Sequence, residues 1–561
     1  MAVLLSAGLV ACSDEQSATP SNVAQIDQNG VLSYVPADSP YLLAATKPFP
    51  EDLRERYWAM AASSLTELQA ALTEQLNEGS TGEPLLDAML RELDGKLTRD
   101  GLKSFGIDEA GQFAIYGLDV LPVIRASLDD SLAFRDAIAR IEADAGQQIP
   151  TGEIDGQSYW RLGEPGGAVY MAIIDEQTLV ITLMPTELES SVLPLALGQT
   201  MPEDAMSDDG AVLQMMGKYG FLEQAFGFLD FEGLAKLMLT DQGPVMSWMR
   251  KEAEIDLTEF GEQCQSETMD LVAIAPRMVF GVTQIDNMRV EQRSVIELET
   301  GLAGQLMETA VNVPGLGQIN DALMSMGLGI DLMKGKKLLL QQVNAMTAEP
   351  SQCQHFAQMR AGLEDMKTQL LQPLPPVVGN IKGANIVLSE LNFTPDQAID
   401  VDGMVALRID NPKLMLGMAQ AMMPELAELQ LNDDGEPMPI PASIRIPNAP
   451  HIESPHMAMN DRAVGFSLGE GQQYGLKAFI ESDSVASKPI LAAGYKGELF
   501  ERIANLAIEN LDPAEAAEVE QSLLSMRETY VKHIDYINIT VAFSAEGIDM
   551  LQTTDFKPAG Q

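Results

Sequence analysis

The chain has 561 residues, of which 46% are hydrophobic, and carries 82 acidic against 35 basic residues, a net charge of −47 at pH 7. Its length suggests two or more domains, and its negative charge argues against nucleic acid as a partner because phosphates are repelled. The most apolar internal stretch, Leu323 to Leu340, contains Asp331, Lys334, Lys336 and Lys337, so we expect no membrane-spanning helix.

The first twelve residues have the pattern of a bacterial lipoprotein signal. A short apolar run, Ala2 to Gly8, leads to Leu9-Val10-Ala11-Cys12, which resembles a lipobox, and polar residues follow at once. The run is too short to cross a bilayer permanently. A signal begins with a basic residue and Met1 to Leu4 has none, so we expect one upstream of Met1. The alternative is a chance apolar N-terminus on a cytoplasmic protein.

The resemblance to bacterial lipoproteins implies that the Cys12 thiol is diacylated and that its freed amine is acylated as well. Several acyl chains hold a protein on a membrane far more firmly than one. In that class a serine after the cysteine, here Ser13, favours the outer membrane, so we expect a lipid-anchored protein facing the periplasm. Residues 13–30 are polar and poor in aromatics. They predict a flexible tether with a root-mean-square length of about 25 Å.

Residues 31–300 are predicted to form a first α+β half. Its elements are strands at 112–116 and 123–128, a helix at 131–145, a turn at 155–156, strands at 169–174 and 178–184, helices within 210–262 and a hairpin at 278–299. Apolar and polar residues alternate in the strands. This alternation predicts an antiparallel sheet covered by helices on one face.

Residues 301–561 are predicted to form a second α+β half with the same order of elements. These are strands at 385–388 and 404–409, a helix at about 412–426, a turn at 434–435, strands at 457–459 and 463–468, helices within 488–532 and a hairpin at 536–556. The repeated order predicts an internal duplication.

Two cysteines remain once Cys12 is assigned to the lipid. Cys264 and Cys353 are an even pair in an expected oxidising compartment, which predicts a disulfide that would join the two halves. The alternative is a pair of buried free thiols.

One motif matches a hydrolase pattern. Gly465-Phe466-Ser467-Leu468-Gly469 spells G-x-S-x-G, the sequence of a nucleophile elbow. Asp483 or Asp512, followed by His533, could complete a triad. However, Ser467 aligns with Thr182 of the first half, within an ordinary predicted strand, so we expect a strand residue and no catalysis.

Metal and cofactor motifs are sparse. His451 and His456 lie near Met457 and Met459, and soft thioethers would suit Cu(I). Surface loop residues are the interpretation we prefer, and no cofactor is expected. The 32 methionines fit core packing, or an adaptable groove for a lipid or a partner.

The start of the expected mature protein carries a second resemblance. Val35-Pro36-Ala37-Asp38-Ser39-Pro40-Tyr41 and the segment Gln157-Ser158-Tyr159-Trp160 resemble an uncharacterised proteobacterial lipoprotein family that begins with V-P-A-D-x-P-Y. That resemblance implies an envelope location and no particular activity. We therefore expect a non-enzymatic envelope lipoprotein with a binding or scaffolding role, whose ligand the sequence does not identify. Its expected partners are the membrane, through the lipid anchor, and either envelope proteins or a hydrophobic ligand. The alternatives are a periplasmic carrier or chaperone for a hydrophobic ligand, and a serine hydrolase using Ser467.

Overall fold

The protein is mixed helix and strand, and its strands are antiparallel. The computed structural model describes residues 30–61, 65, 83–164, 166–240, 243–253, 261–319, 321–348, 353, 356–393, 399–441, 444, 454–510, 523 and 530–558. It is 41% helical and 31% strand with a large antiparallel sheet, which confirms the predicted mixture. The described part of the chain divides into two compact units, residues 30–287 (unit 1) and 288–558 (unit 2).

Unit 1 contains nine strands. They are β1 (Tyr41–Ala45), β2 (Phe113–Leu118), β3 (Leu121–Ser127), β4 (Thr151–Ile154), β5 (Gln157–Glu164), β6 (Gly167–Ile174), β7 (Thr178–Met184), β8 (Phe226–Asp230) and β9 (Arg277–Ile285). Hydrogen-bonded neighbours give the order β4-β5-β6-β7-β3-β2-β1-β8-β9. The β4–β5 turn places Asp155 and Gly156 at positive φ, as a tight hairpin of the predicted Asp-Gly type requires.

Nine helices connect these strands, and residues 51–61 are helical as well. They are α1 (Pro84–Leu93), α2 (Arg99–Ser104), α3 (Ser131–Ala145), α4 (Glu189–Leu197), α5 (Met206–Asp209), α6 (Ala211–Tyr219), α7 (Phe231–Leu239), α8 (Pro244–Glu252) and α9 (Glu262–Val272). Local sequence fixes the ends of α3. The Asp130 carboxylate accepts hydrogen bonds from the amides of Leu132 and Ala133, and Gly146 ends the helix in the left-handed conformation.

Helices cover both faces of the unit 1 sheet, so the expectation of one covered face is wrong. Helix α3 packs on Leu179 and Ile181 of β7. Helix α4 lies on the opposite face, where the carbonyl of Ala196 accepts a hydrogen bond from Arg125. Strand β6 explains the difference, because residues 168–174 are aliphatic, aromatic or methionine at every position and can bury both faces.

Unit 2 contains ten strands. They are β10 (Arg289–Glu297), β11 (Met324–Gly329), β12 (Ile381–Phe393), β13 (Ile399–Ile409), β14 (Met438–Pro439), β15 (His456–Met459), β16 (Ala463–Leu468), β17 (Leu491–Lys496), β18 (Ile534–Phe543) and β19 (Gly547–Phe556). Their hydrogen-bonded order is β14-β15-β16-β13-β12-β11-β17-β18-β19-β10.

The helices of unit 2 also lie on both faces of their sheet. They are α10 (Thr300–Met307), α11 (Leu332–Thr347), α12 (Ala357–Leu371), α13 (Pro376–Asn380), α14 (Pro412–Met422), α15 (Gln473–Glu481) and α16 (Glu498–Asn510). Helix α15 packs through Leu476 and Ile480 against Ala463 of β16. Helix α14 packs through Met415 and Leu416 against Val464, the next residue of that strand, and therefore on the other face.

Candidate functional site

Two central strands of unit 2, β12 and β18, bury amide or hydroxyl side chains on one face and carry incompletely covered apolar side chains on the other. On β18, Asn538 and Thr540 are 1% and 2% exposed, whereas the alternate residues Ile539 and Val541 are only half-buried. On β11, Met326 and Leu328 are 49% and 46% exposed. An antiparallel sheet ordinarily turns its apolar face to the core and its polar face to water. These strands depart from that arrangement, because amide and hydroxyl side chains are buried beside Val387, Ala406 and Ala492 while apolar side chains such as Met326 and Leu328 are exposed.

The buried polar face, which we call the covered face, lies beneath a loop and a helix of the same unit. The Asn385 side chain donates a hydrogen bond of 2.9 Å to the carbonyl of Pro314, and Asn538 donates one of 3.5 Å to Gly317. Val313 and Leu316 of this loop pack against Ala492 of β17. The side-chain amides of Asn385 and Asn538 are thus hydrogen-bonded within the protein.

The opposite side of these strands carries what we call the open strip. Two neighbouring rows cross β13, β12, β11, β17 and β18 in register. They are Val405–Ile386–Met326–Ala493–Ile539 and Leu407–Ala384–Leu328–Leu491–Val541. All ten residues are apolar. At a strand spacing of about 4.8 Å, the strip extends for about 19 Å.

Two helices border the open strip. Helix α14 covers its β13 side through the cluster that contains Ile409 and Val464. Helix α16 covers one end, where Phe500 lies edge-on against Tyr495 with ring centroids 5.4 Å apart. Between them Met326, Leu328, Ile386 and Leu491 remain exposed. An exposed apolar surface on middle strands of a sheet is typical of a binding site.

Ser467 of the G-x-S-x-G motif does not lie on an elbow. It is an interior residue of β16, fully buried, and pairs with Met404 on one side and His456 on the other. Its Oγ has no hydrogen-bond partner among the described residues. Packing explains Gly465, because a Cβ there would lie 2.3 Å from Ile480. Gly469 serves a turn at a φ of +92°.

The other members of the supposed triad do not converge on Ser467. His533 directly precedes β18, five strand spacings from β16, which corresponds to about 24 Å. Asp483 is exposed and accepts hydrogen bonds from Arg462 and Asn312, and these contacts lower its pKa. Asp512 lies outside the described residues.

Two further sequence candidates also lie outside the described residues, namely Cys12 and His451. His456 is half-buried on β15, and its Nδ1 lies 2.8 Å from the carbonyl oxygen of Ser454. Within the described ranges, no three His, Cys, Asp or Glu side chains are grouped so that they could hold a metal ion.

Cys264 and Cys353 lie at disulfide-bonding distance, as the sequence predicted. Both are buried, Cys264 on α9 and Cys353 between α11 and α12. A disulfide persists in oxidising compartments and is rare where thiols are kept reduced.

Unit 1 holds a cluster of titratable groups at the start of α4. The sequence alone does not predict this cluster. Tyr159 and Tyr170 donate their hydroxyl protons to the Glu189 carboxylate, and Arg161 lies 3.2 Å from it. Burial and the Glu189 carboxylate raise the pKa of Tyr159 to about 12. Burial raises the pKa of Glu189, but the three donors outweigh it and leave that pKa below its usual value.

The other end of α4 is held by a buried cation. Arg125 is 1% exposed and donates hydrogen bonds to the Ala196 carbonyl at 2.8 Å and to the Tyr116 hydroxyl at 3.1 Å. Its guanidinium also stacks 3.9 Å from the ring of Tyr34. An anion at a helix N-terminus and a cation at its C-terminus both stabilise the helix. We therefore interpret Glu189 and Arg125 as structural residues.

The burial of amide and hydroxyl side chains in unit 2 could not be read from the sequence. The alternation of residues along a strand such as β18 shows which side chains share a face. The usual expectation then places the apolar face against the core. The available signal was the amide pair Asn385 and Asn538, because amides at alternating strand positions need partners if they are buried.

Neither the helices nor comparison with known proteins identifies a function for the chain. None of the helices in the described ranges combines the length and apolarity that crossing a bilayer requires. The chain matches no protein-family model, no curated protein and no solved structure.

Proposed function

We propose that the protein is a non-enzymatic cell-envelope lipoprotein that binds a hydrophobic ligand on the open strip of unit 2. The observation that carries the proposal is the incompletely covered apolar face of the sheet. Ten apolar side chains in two rows carry no charge and are half-buried or exposed. A surface of this kind excludes charged partners and favours an elongated apolar molecule such as an acyl chain.

The envelope location rests on separate support. Leu9-Val10-Ala11-Cys12 resembles a lipobox, and the polar segment that follows suits a tether. The close pairing of Cys264 and Cys353 fits the oxidising periplasm. Acyl chains on Cys12 would hold the protein on the periplasmic side of the outer membrane.

The two alternatives have less support. A hydrolase needs an accessible nucleophile within reach of a base, whereas Ser467 is fully buried and His533 is about five strand spacings away. A scaffold for envelope proteins would use the same open strip, with the apolar face of a partner protein as the occupant. The identity of the molecule that co-purifies with the protein separates a small-molecule ligand from a protein partner.

An internal duplication is part of the proposal, and strand order supports it. The series β5-β6-β7-β3-β2-β1-β8-β9 of unit 1 corresponds to β14-β15-β16-β13-β12-β11-β17-β18 of unit 2, strand for strand in chain order. Helices α3 and α14 follow equivalent strands, as do α4 and α15. An experimental structure with a different strand order in either unit would contradict it.

Register extends the correspondence to single residues. Equivalent rows run through Thr182–Val123–Tyr116–Leu42–Phe228–Val279 and through Ser467–Met404–Val387–Ser325–Gly494–Asn538. The first row is apolar apart from Thr182 and Tyr116, whereas the second contains two serines and an asparagine. We infer that the second copy diverged from the ordinary pattern and carries the binding function.

Titration with an uncharged apolar fluorophore, N-phenyl-1-naphthylamine, tests the ligand site. We expect the wild-type chain to bind the probe, and Met326→Glu and Leu328→Glu each to weaken binding by about tenfold or more, because a carboxylate would be desolvated beneath the probe. Leu132→Glu on α3 is the matched control, since Leu132 is also a highly exposed apolar residue. Equal binding by all four chains would overturn the proposal.

Mass spectrometry of membrane-derived protein tests the anchor and the ligand together. We expect an acylated N-terminal cysteine at position 12 and a co-purifying lipid-like molecule that is lost from Met326→Glu. A Cys12→Ser variant should lose the acyl chains and keep the ligand. Unmodified Cys12 would overturn the anchor alone, and a co-purifying protein in place of a lipid would favour the scaffold.

A further inference from the structure

The helical hairpin of α11 and α12 in unit 2 exposes an unusual number of apolar side chains. The two helices are antiparallel, since Lys336 near the start of α11 donates to the carbonyl of Gln372 and Arg360 near the start of α12 donates to that of Met346. Among the described residues between 332 and 374, seven large apolar side chains are exposed, namely Leu332, Met333, Leu339, Met359, Met366, Leu371 and Leu374.

Helix α12 buries none of its residues. Met359, Leu363, Met366 and Leu370 recur at the spacing of one helix face, yet each is exposed or only half-buried. An amphipathic helix ordinarily gains its stability by burying such a face. The apolar face of α12 is therefore not buried by the part of the chain that the structure describes.

The charge of the hairpin is opposite to that of the chain. Residues 332–374 contain five basic residues (Lys334, Lys336, Lys337, Arg360 and Lys367) and three acidic ones (Glu349, Glu364 and Asp365). The segment is thus net positive within a chain of net charge −47. Helix α11 has three lysines and no acidic residue. Exposed charges farther apart than about 8 Å are screened at physiological salt, so the local lysines decide what approaches this surface.

We infer that the α11–α12 hairpin is a docking surface for an anionic phospholipid bilayer. Exposed leucines and methionines beside lysines on a helix are the combination that partitions into the membrane interface. Basic residues attract anionic headgroups while the apolar side chains enter the boundary of the acyl chains. This contact requires neither the acyl anchor nor the open strip, so it stands apart from the proposed function.

Lysines differ in their suitability for a test. Lys334 donates a hydrogen bond to the Glu308 carbonyl and Lys336 donates one to Gln372, so replacing either would also disturb the fold. Lys337 is exposed and makes no hydrogen bond or ion pair with the residues that the structure describes. Leu371, 64% exposed, is the corresponding apolar probe.

Vesicle co-sedimentation of the full chain carrying Cys12→Ser provides the experiment. We expect it to bind vesicles of equimolar phosphatidylcholine and phosphatidylglycerol, and to bind pure phosphatidylcholine vesicles more weakly. Lys337→Ser should lower the partition coefficient on anionic vesicles about fivefold, and Leu371→Ser about tenfold on both vesicle types. Added salt should reduce the effect of Lys337→Ser, which is electrostatic, and leave the effect of Leu371→Ser unchanged.

Two matched variants control for general surface effects. Lys251→Ser on α8 removes an exposed lysine, and Leu132→Ser on α3 removes an exposed leucine, both outside the hairpin. Their partition should equal that of the parent chain. Hairpin variants that bind like these controls would overturn the inference, as would equal binding to both vesicle types. Self-association that Leu371→Ser abolishes, without vesicle binding, would instead assign the surface to a second copy of the chain.

Discussion

At the scale of single residues, Thr182 and Ser467 differ in whether their buried hydroxyl has a hydrogen-bond partner. They occupy equivalent positions under the internal duplication that we propose, and both are buried. The Thr182 hydroxyl donates a hydrogen bond of 2.9 Å to the Pro122 carbonyl, whereas the Ser467 hydroxyl has no partner among the described residues. Burying a hydroxyl that has no hydrogen-bond partner lowers the stability of the folded state, whereas burying one that has a partner raises it.

Ser467→Ala should therefore stabilise the protein by about 1 kcal/mol, and Thr182→Val should destabilise it by about 1 kcal/mol. Urea unfolding midpoints of the two variants and the wild type measure the contrast. If Ser467→Ala lowered the midpoint as Thr182→Val does, the serine would have a partner that this structure does not contain.

The hydrolase motif illustrates what single residues cannot reveal in a sequence. Residues 465–469 match the G-x-S-x-G pattern, but they also fit a strand. Gly465 leaves room for helix α15, and Gly469 allows a turn after the strand. The alignment with Thr182 already favoured the strand. The sequence does not predict the cluster around Glu189, because its members come from three elements that only the fold brings together.

At the scale of elements, α4 is held at each end by a residue of the sheet that it covers. Glu189 at its start accepts hydrogen bonds from the β5 and β6 tyrosines, and the carbonyl of Ala196 at its end accepts one from Arg125 of β3. Both contacts also complement the helix dipole. The attachment of α4 should therefore depend on the ionisation of Glu189.

The sign of this pH dependence follows from the lowered pKa of Glu189. A carboxyl whose pKa is lower in the folded state contributes stability above its ordinary pKa of about 4.3, and that contribution is lost as the pH falls below it. We expect the unfolding temperature of the wild type to fall more steeply between about pH 5 and pH 3 than that of Glu189→Gln.

Calorimetry across that range measures the difference. Glu153→Gln, which removes an exposed carboxylate on β4, should keep the wild-type slope. A Glu189→Gln profile parallel to the wild type would show that the cluster contributes nothing to stability.

Most elements of the first half were predictable because their signals are local. Helix α3 occupies the predicted residues 131–145, since Asp130 and Gly146 mark its ends, and the β6 and β7 hairpin begins and ends near the predicted positions. The placement of helices on both faces was not predictable from alternation alone, because residues 168–174 of strand β6 are aliphatic, aromatic or methionine at every position. Whether a face is covered depends on residues far away in the chain.

At the scale of the whole molecule, the net charge of −47 is the dominant property. Like charges on a compact surface repel one another and lower the free energy of unfolding. Raising sodium chloride from about 0.01 M to 0.15 M shortens the screening length from about 30 Å to 8 Å. We expect the unfolding temperature to rise over this range, as circular dichroism would record.

Choline chloride at equal ionic strength distinguishes screening from specific cation capture. Screening depends on ionic strength alone, so choline should raise the unfolding temperature as much as sodium does. An increase seen only with metal cations would contradict the screening account.

The open strip and the acidic surface together have a consequence for solubility. Exposed hydrophobic side chains on a sheet ordinarily promote self-association or aggregation. At low ionic strength, the net charge of −47 makes two copies of the chain repel each other. A small uncharged molecule meets no such repulsion, so the open strip that we propose as a ligand site could stay accessible without causing self-association at low salt.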